Sequence, residues 1–144
     1  MDDLEREGRR RNSEGTAKVD RCETSERVIA CALKVHTRLG PGLLEAAYEE
    51  CLCHAMAKAG IAFKRQVPVP VTFDGVKLDC GFRLDLVVEG SVVVEVKAVE
   101  RLLPLHHAQL VTYLRFSGIT TGLLLNFNVA HLRQGIRRRV ITSY

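Results

Sequence analysis

The spacing of apolar residues changes partway along the chain, and the change predicts the order of its elements. Val28, Ala32, Val35 and Leu39 recur at helical spacing behind Ser25, a residue able to cap a helix. "GPG" at 40–42 breaks that pattern. A second helix is expected from Leu43 to about Lys58, with Leu44, Tyr48, Cys51, Leu52 and Ala55 as its apolar stripe and Gly60 as its stop. The period then drops from 3.6 to 2. "FKRQVPVPVTF" alternates but carries Pro68 and Pro70, which predicts one edge or bulged strand followed by a "DG" turn at 74–75. "CGFRLDLVV" and "SVVVEVKAV" read as two strands joined through "EGS" at 89–91. Pro104 opens a helix that closes at Gly118, "TTGLLLNFNV" reads as a buried strand, and "GIRRRVI" as a short terminal one. Helices, a strand meander, a crossover helix and a further strand define an α/β protein. Its mixed β-sheet is flanked by helices and holds at least one parallel pair.

Composition narrows the class without naming it. The 144 residues suit one domain, and a hydrophobic share of 47% with 26% charged is an ordinary globular balance. Residues 1–24 mix both charge signs with few apolar positions, so they are expected to form a disordered tail ahead of a domain at 25–144. The charged start lacks the apolar stretch of a signal peptide, and no apolar run is long enough to span a bilayer; a cytoplasmic location and no membrane partner are expected. Five scattered cysteines show no zinc spacing, which fits reduced thiols. The net charge of +4 is compatible with a nucleic-acid partner. Arg137, Arg138 and Arg139 crowd the C-terminal strand, where they serve either to protect an edge from aggregation or to contact phosphate.

The positions that break the pattern are charges inside strands. Glu95 and Lys97 interrupt a run of valines and share a face with Val93, opposite Val92, Val94 and Val96. Arg83, Asp85 and Val87 share a face of the preceding strand, with Phe82, Leu84, Leu86 and Val88 expected opposite. Parity then constrains the connection. A three-residue loop at 89–91 pairs 88 with 92, and therefore 85 with 95, whereas a two-residue loop would put Asp85 and Glu95 on opposite faces. In the first register two carboxylates and an ammonium converge. Such a group is either a cross-strand ion pair on a wet face or a site for a hard divalent cation, Mg²⁺ or Mn²⁺, poised for phosphodiester hydrolysis.

Three segments carry a resemblance. Asp85 followed by "EVK" at 95–97 resembles the motif of the PD-(D/E)XK nuclease superfamily. "GLLEAAY", with Gly42, Glu45 and Tyr48, resembles the G-x-x-E-x-x-Y pattern of a bacterial family within it. "QLVTY", Gln109 to Tyr113, resembles the Q-x-x-x-Y element of RecB-like members. The resemblance implies a restriction-endonuclease-like fold and Mg²⁺- or Mn²⁺-dependent cleavage of nucleic acid, with DNA the favoured substrate. Under it, Asp85, Glu95, the Val96 carbonyl and Glu45 hold the metal, and Lys97 orients or activates water. Gln109 and Tyr113 keep the site in shape, while Arg83, Arg137, Arg138 and Arg139 meet phosphate. Small nucleases often need a second copy to span a duplex, so a homodimer is compatible with it. The alternative is a non-catalytic module that keeps the fold to bind nucleic acid or protein.

Overall fold

A computed structural model describes residues 21–142 of the chain. Residues 1–20 of the expected tail lie outside the described residues, but 21–24 are not tail: helix α1 already runs from Arg21 to Leu39. Ser25 therefore does not cap it. Thr24 and Ser25 are fully buried inside the helix, with neither hydroxyl hydrogen-bonded among the described residues.

Helix α2 spans Glu45–Lys58, two residues later than expected. Leu44 is its N-cap and stands 81% exposed, so the buried stripe is Tyr48, Leu52, Cys53 and Met56 rather than one led by Leu44. The loop before α2 explains the spacing of Gly42, Glu45 and Tyr48. Gly42 adopts φ +107°, which side chains avoid, and so turns the chain toward the helix. Tyr48, one turn in, stacks on Phe127 with ring centroids 4.6 Å apart. Its hydroxyl accepts from Leu43 N–H at 3.1 Å and donates to the Gly40 carbonyl at 2.5 Å. The ring is core and the hydroxyl is a clamp on the loop that delivers Glu45. Tyr48→Phe should therefore cost roughly 1–3 kcal/mol in urea unfolding, while Leu44→Ala should leave stability unchanged.

The stretch at 63–73 was expected to be a single strand and is two. Strand β1 (Phe63–Pro68) joins the main sheet, whereas β2 (Val71–Phe73) turns through Asp74 and Gly75 to pair with β3 (Val76–Leu78) in a separate hairpin. Both turn residues have positive φ, as the Asp-Gly pair at 74–75 requires. The remaining strands are β4 (Arg83–Val88), β5 (Val92–Lys97), β6 (Thr121–Asn126) and β7 (Ile136–Val140), with α3 (Pro104–Ser117) crossing from β5 to β6. The main sheet runs β1-β4-β5-β6-β7, with β5 and β6 parallel and every other neighbour antiparallel.

Alternation along β5 and β6 sorts the core into two layers. Val92, Val94, Val96, Leu123 and Leu125 pack against α1 and α2, while Val93 and Leu124 pack with Leu110 and Leu114 of α3. The result is the expected mixed sheet flanked by helices. Strand β4 departs from its expected alternation. Leu86 and Val88 face α1 and α2, but Leu84 joins Val87 on the α3 side, where Phe82 also packs. The switch falls at Asp85, which the register sets across from Gln66 of β1, a non-glycine residue held at φ +51°. The β1–β4 ladder skips its pair at that position, and the change of layer coincides with this break in regular strand geometry.

Candidate active site

The turn between β4 and β5 has the three-residue form: Val88 pairs with Val92, Val87 with Val93 and Leu86 with Val94. Glu89 and Gly90 both take positive φ, and Ser91 N–H closes the loop onto the Val88 carbonyl at 3.0 Å. Asp85 and Glu95 are the next positions in that register. Here the backbone ladder stops and the two carboxylates continue it. The Asp85 N–H donates to Glu95 Oε2 at 3.0 Å, and the Val96 N–H donates to Asp85 Oδ2 at 2.8 Å. Each acid thus satisfies an amide of the opposite strand where the strands part. Asp85 Oδ1 and Glu95 Oε1 have no hydrogen bond among the described residues.

Burial makes this pair electrostatically tense. Glu95 is 4% exposed, and desolvation followed by the charge of Asp85 pushes its carboxyl up to about 8. Burial also raises Asp85, against the Val96 amide bond and the charge of Lys97, which lower it. Lys97 is half-buried at the end of β5 and acts on both acids. Tyr113 reaches the same space from α3, its hydroxyl held neutral by burial and by the charges of Glu95 and Asp85. Phe82 braces its ring edge-on at 4.5 Å. Glu45, the first residue of α2, accepts from the Ala98 N–H at 3.3 Å and adds its charge to the field on Asp85.

Glu49 is a site residue that sequence reasoning missed. It lies one turn beyond Glu45, is buried, and bears electrostatically on Asp85 and Glu95. Arg65 (3.1–3.2 Å) and Gln66 Nε2 (3.2 Å) hold its carboxylate, and Arg65 also pairs with Glu50 at 2.9 Å. The i, i+4 spacing of Glu45 and Glu49 was the available signal. Asn126, the last residue of β6, is a further polar residue at the site's edge. It is buried, its Oδ1 accepts from Val99 N–H and Asn128 N–H, and its Nδ2 donates to the Val99 carbonyl. With the Phe127 N–H on the Lys97 carbonyl at 2.9 Å, it fastens the chain just past Lys97.

The other expected residues divide. Gln109 sits one turn before Tyr113 and makes no hydrogen bond to the carboxylates among the described residues. Arg83 is exposed at the start of β4, with no ion pair to the acids among the described residues. The C-terminal arginines alternate and therefore do not form one stripe. Arg137 pairs with Leu124, which pairs with Glu95, so these three share a row and a face. Two strand spacings put Arg137 about 10 Å from Glu95 along that row. Arg139 follows on the same face, and both arginines bear on His107 of α3, whose pKa burial lowers first and the two guanidiniums lower further. Arg137 also donates to the carbonyls of Gln134 and Ile136. Arg138, paired with Leu123, faces the α1 and α2 side.

Among the described residues no three acidic, histidine or cysteine side chains converge as a ready cation cage. The donor chemistry nevertheless fits a hard cation: a buried and a half-buried carboxylate that repel each other, each with an oxygen uncommitted among the described residues. Fold and site together define a class, that of α/β proteins carrying an acid pair and a lysine where two central strands part. A family model described as the PD-(D/E)XK nuclease superfamily matches residues 22–139. The chain belongs to that superfamily, and its sheet and flanking helices are consistent with the restriction-endonuclease-like fold. Searches of curated proteins and of solved structures found no significant match. No helix among the described residues is long and apolar enough to cross a membrane.

Proposed function

We propose that this protein is a metal-dependent nuclease that hydrolyses DNA phosphodiester bonds, within the G-x-x-E-x-x-Y group of its superfamily. The observation that carries this reading is the acid pair at the strand split, with Lys97 beside it. Asp85, Glu95 and the Val96 carbonyl would hold Mg²⁺ or Mn²⁺, with Glu45 in support. When bound, the cation relieves the repulsion between the acids, favours a deprotonated water and stabilises charge on the phosphoryl oxygens. Lys97 supplies a positive charge beside the acids and orients the attacking water. The neutral Tyr113 hydroxyl offers a hydrogen bond into the same space, and Gln109, one turn earlier on α3, would help it hold the site in shape. Arg137 and Arg139, on the face of Glu95, receive a neighbouring phosphate. Arg83 and Arg138 are left to more distant contacts.

A homodimer would present two such sites to the two strands of a duplex. The free thiols of Cys31, Cys51, Cys53 and Cys80 support a reducing compartment, in keeping with a cytoplasmic home. A second reading, a non-catalytic binding module, draws on one observation: Asp85, Glu95 and Glu45 are all turned to backbone amides. End-labelled single-stranded, duplex and branched DNA, with matched RNA, incubated with Mg²⁺ or Mn²⁺ separates the two. Cleavage lost in EDTA and in Lys97→Ala supports the nuclease. Tight, salt-sensitive binding without cleavage supports the module.

A further inference from the structure

Helix α2 shows the carboxylate site one face and α1 another, and a groove runs along the second. Between the two helices lie two adjoining hollows of about 520 and 220 Å³, which meet at Lys34 and Ala59. Their floor is hydrocarbon, supplied by Val35, Leu39, Ala55 and Ile61 among others. Their rim is cationic: Arg27, Lys34 and Arg38 from α1 and Lys58 from α2. No carboxylate lines either hollow, and none of these four cations is ion-paired among the described residues. Glu50 of α2 is engaged elsewhere, with Arg65.

We propose that this groove docks an acidic amphipathic helix of a partner protein. Charge spacing selects that occupant. Arg27 and Arg38 stand eleven positions apart on α1, about 16 Å or three helical turns, which is longer than one anionic headgroup. A partner helix of similar length can set apolar side chains at i, i+3, i+4 and i+7 on the floor, with glutamates or aspartates against both rims. A phosphodiester backbone would satisfy the rim and leave the apolar floor uncovered, losing the hydrophobic gain. The docking face lies away from Asp85, Glu95 and Lys97, so a bound partner would leave that site open and could direct where it acts.

The test uses the full chain and fluorescence anisotropy. The probe is a labelled 18-residue helical peptide with leucines at that spacing and flanking glutamates; its twin carries lysines in their place. A 20-nucleotide single-stranded DNA and phosphatidylglycerol vesicles are the competing ligands. The acidic peptide should bind saturably and its twin should not. Lys34→Glu and Arg38→Glu should weaken binding by about tenfold or more each, and Lys34→Ala by less, with unchanged thermal unfolding. No saturable binding of the acidic peptide, or equal affinity for wild type and Arg38→Glu, would overturn the proposal. So would DNA or vesicle binding that exceeds peptide binding and is lost in the same variants, or a dimer that dissociates in Arg38→Glu.

Discussion

Asp85→Asn should abolish Mg²⁺-dependent DNA cleavage, lowering the single-turnover rate by about 10³-fold or more, which is roughly 4 kcal/mol of transition-state stabilisation. The substitution is chosen because it spares the fold. Asparagine keeps an oxygen to accept the Val96 N–H, the bond that carries the β4–β5 pairing past the end of its ladder. What it removes is one of two charges available to a cation. The neighbouring carboxyl, Glu95, then loses the charge that most opposes its ionisation after burial itself, so its pKa should fall. A variant that folds like wild type, titrates differently and no longer cuts would assign the defect to chemistry. Cleavage that persists in Asp85→Asn would place the reaction elsewhere.

Glu95→Gln should do the reverse to stability, making the metal-free protein firmer while ending its activity. In the folded state the Glu95 carboxyl is pushed up to about 8 from an ordinary 4.5. Between those values the native state holds a proton that the unfolded state has released. Linkage therefore makes stability fall as pH rises from about 4.5 to 8 and level off above. Glutamine carries no such cost, and its carbonyl can still accept the Asp85 N–H. Urea unfolding should show the variant more stable than wild type by about 1–3 kcal/mol at pH 8, with the gap closing toward pH 4.5. A variant less stable at pH 8, or one with the wild-type slope, would mean that Glu95 is comfortably ionised where it lies.

That tension is partly legible in the sequence. Parity along β5 puts Glu95 and Lys97 on one face, and a three-residue turn at 89–91 brings Asp85 to them where a two-residue turn would not; with valines buried on both faces of β5, hydrophobic pattern alone does not choose between the two. The same alternation rule failed one residue further back. Leu84 lies on the α3 side where the β1–β4 ladder breaks at Gln66 and Asp85, and a positive φ at glutamine leaves no mark in the sequence. The hairpin β2–β3 was hidden because "VPVPVTF" alternates straight through the point where the chain leaves the main sheet. Inside "YEEC", Glu49 and Glu50 read alike, as two adjacent acids of a solvated helix face. Only the arrival of Arg65 and Gln66 from β1 shows which one turns inward. Arg137 to Arg139 could have been divided by the same parity that found Glu95, since neighbours on a strand cannot share a face.

If Asp85 and Glu95 hold a cation as proposed, Glu95 keeps a proton at neutral pH that the cation must displace. Mn²⁺ titration calorimetry at pH 7, repeated in buffers of different ionisation enthalpy, tests it most directly. Wild type should bind saturably with release of close to one proton, fading toward none at pH 9, and Asp85→Asn should not bind. Binding without proton release at pH 7, or equal binding to wild type and Asp85→Asn, would contradict it.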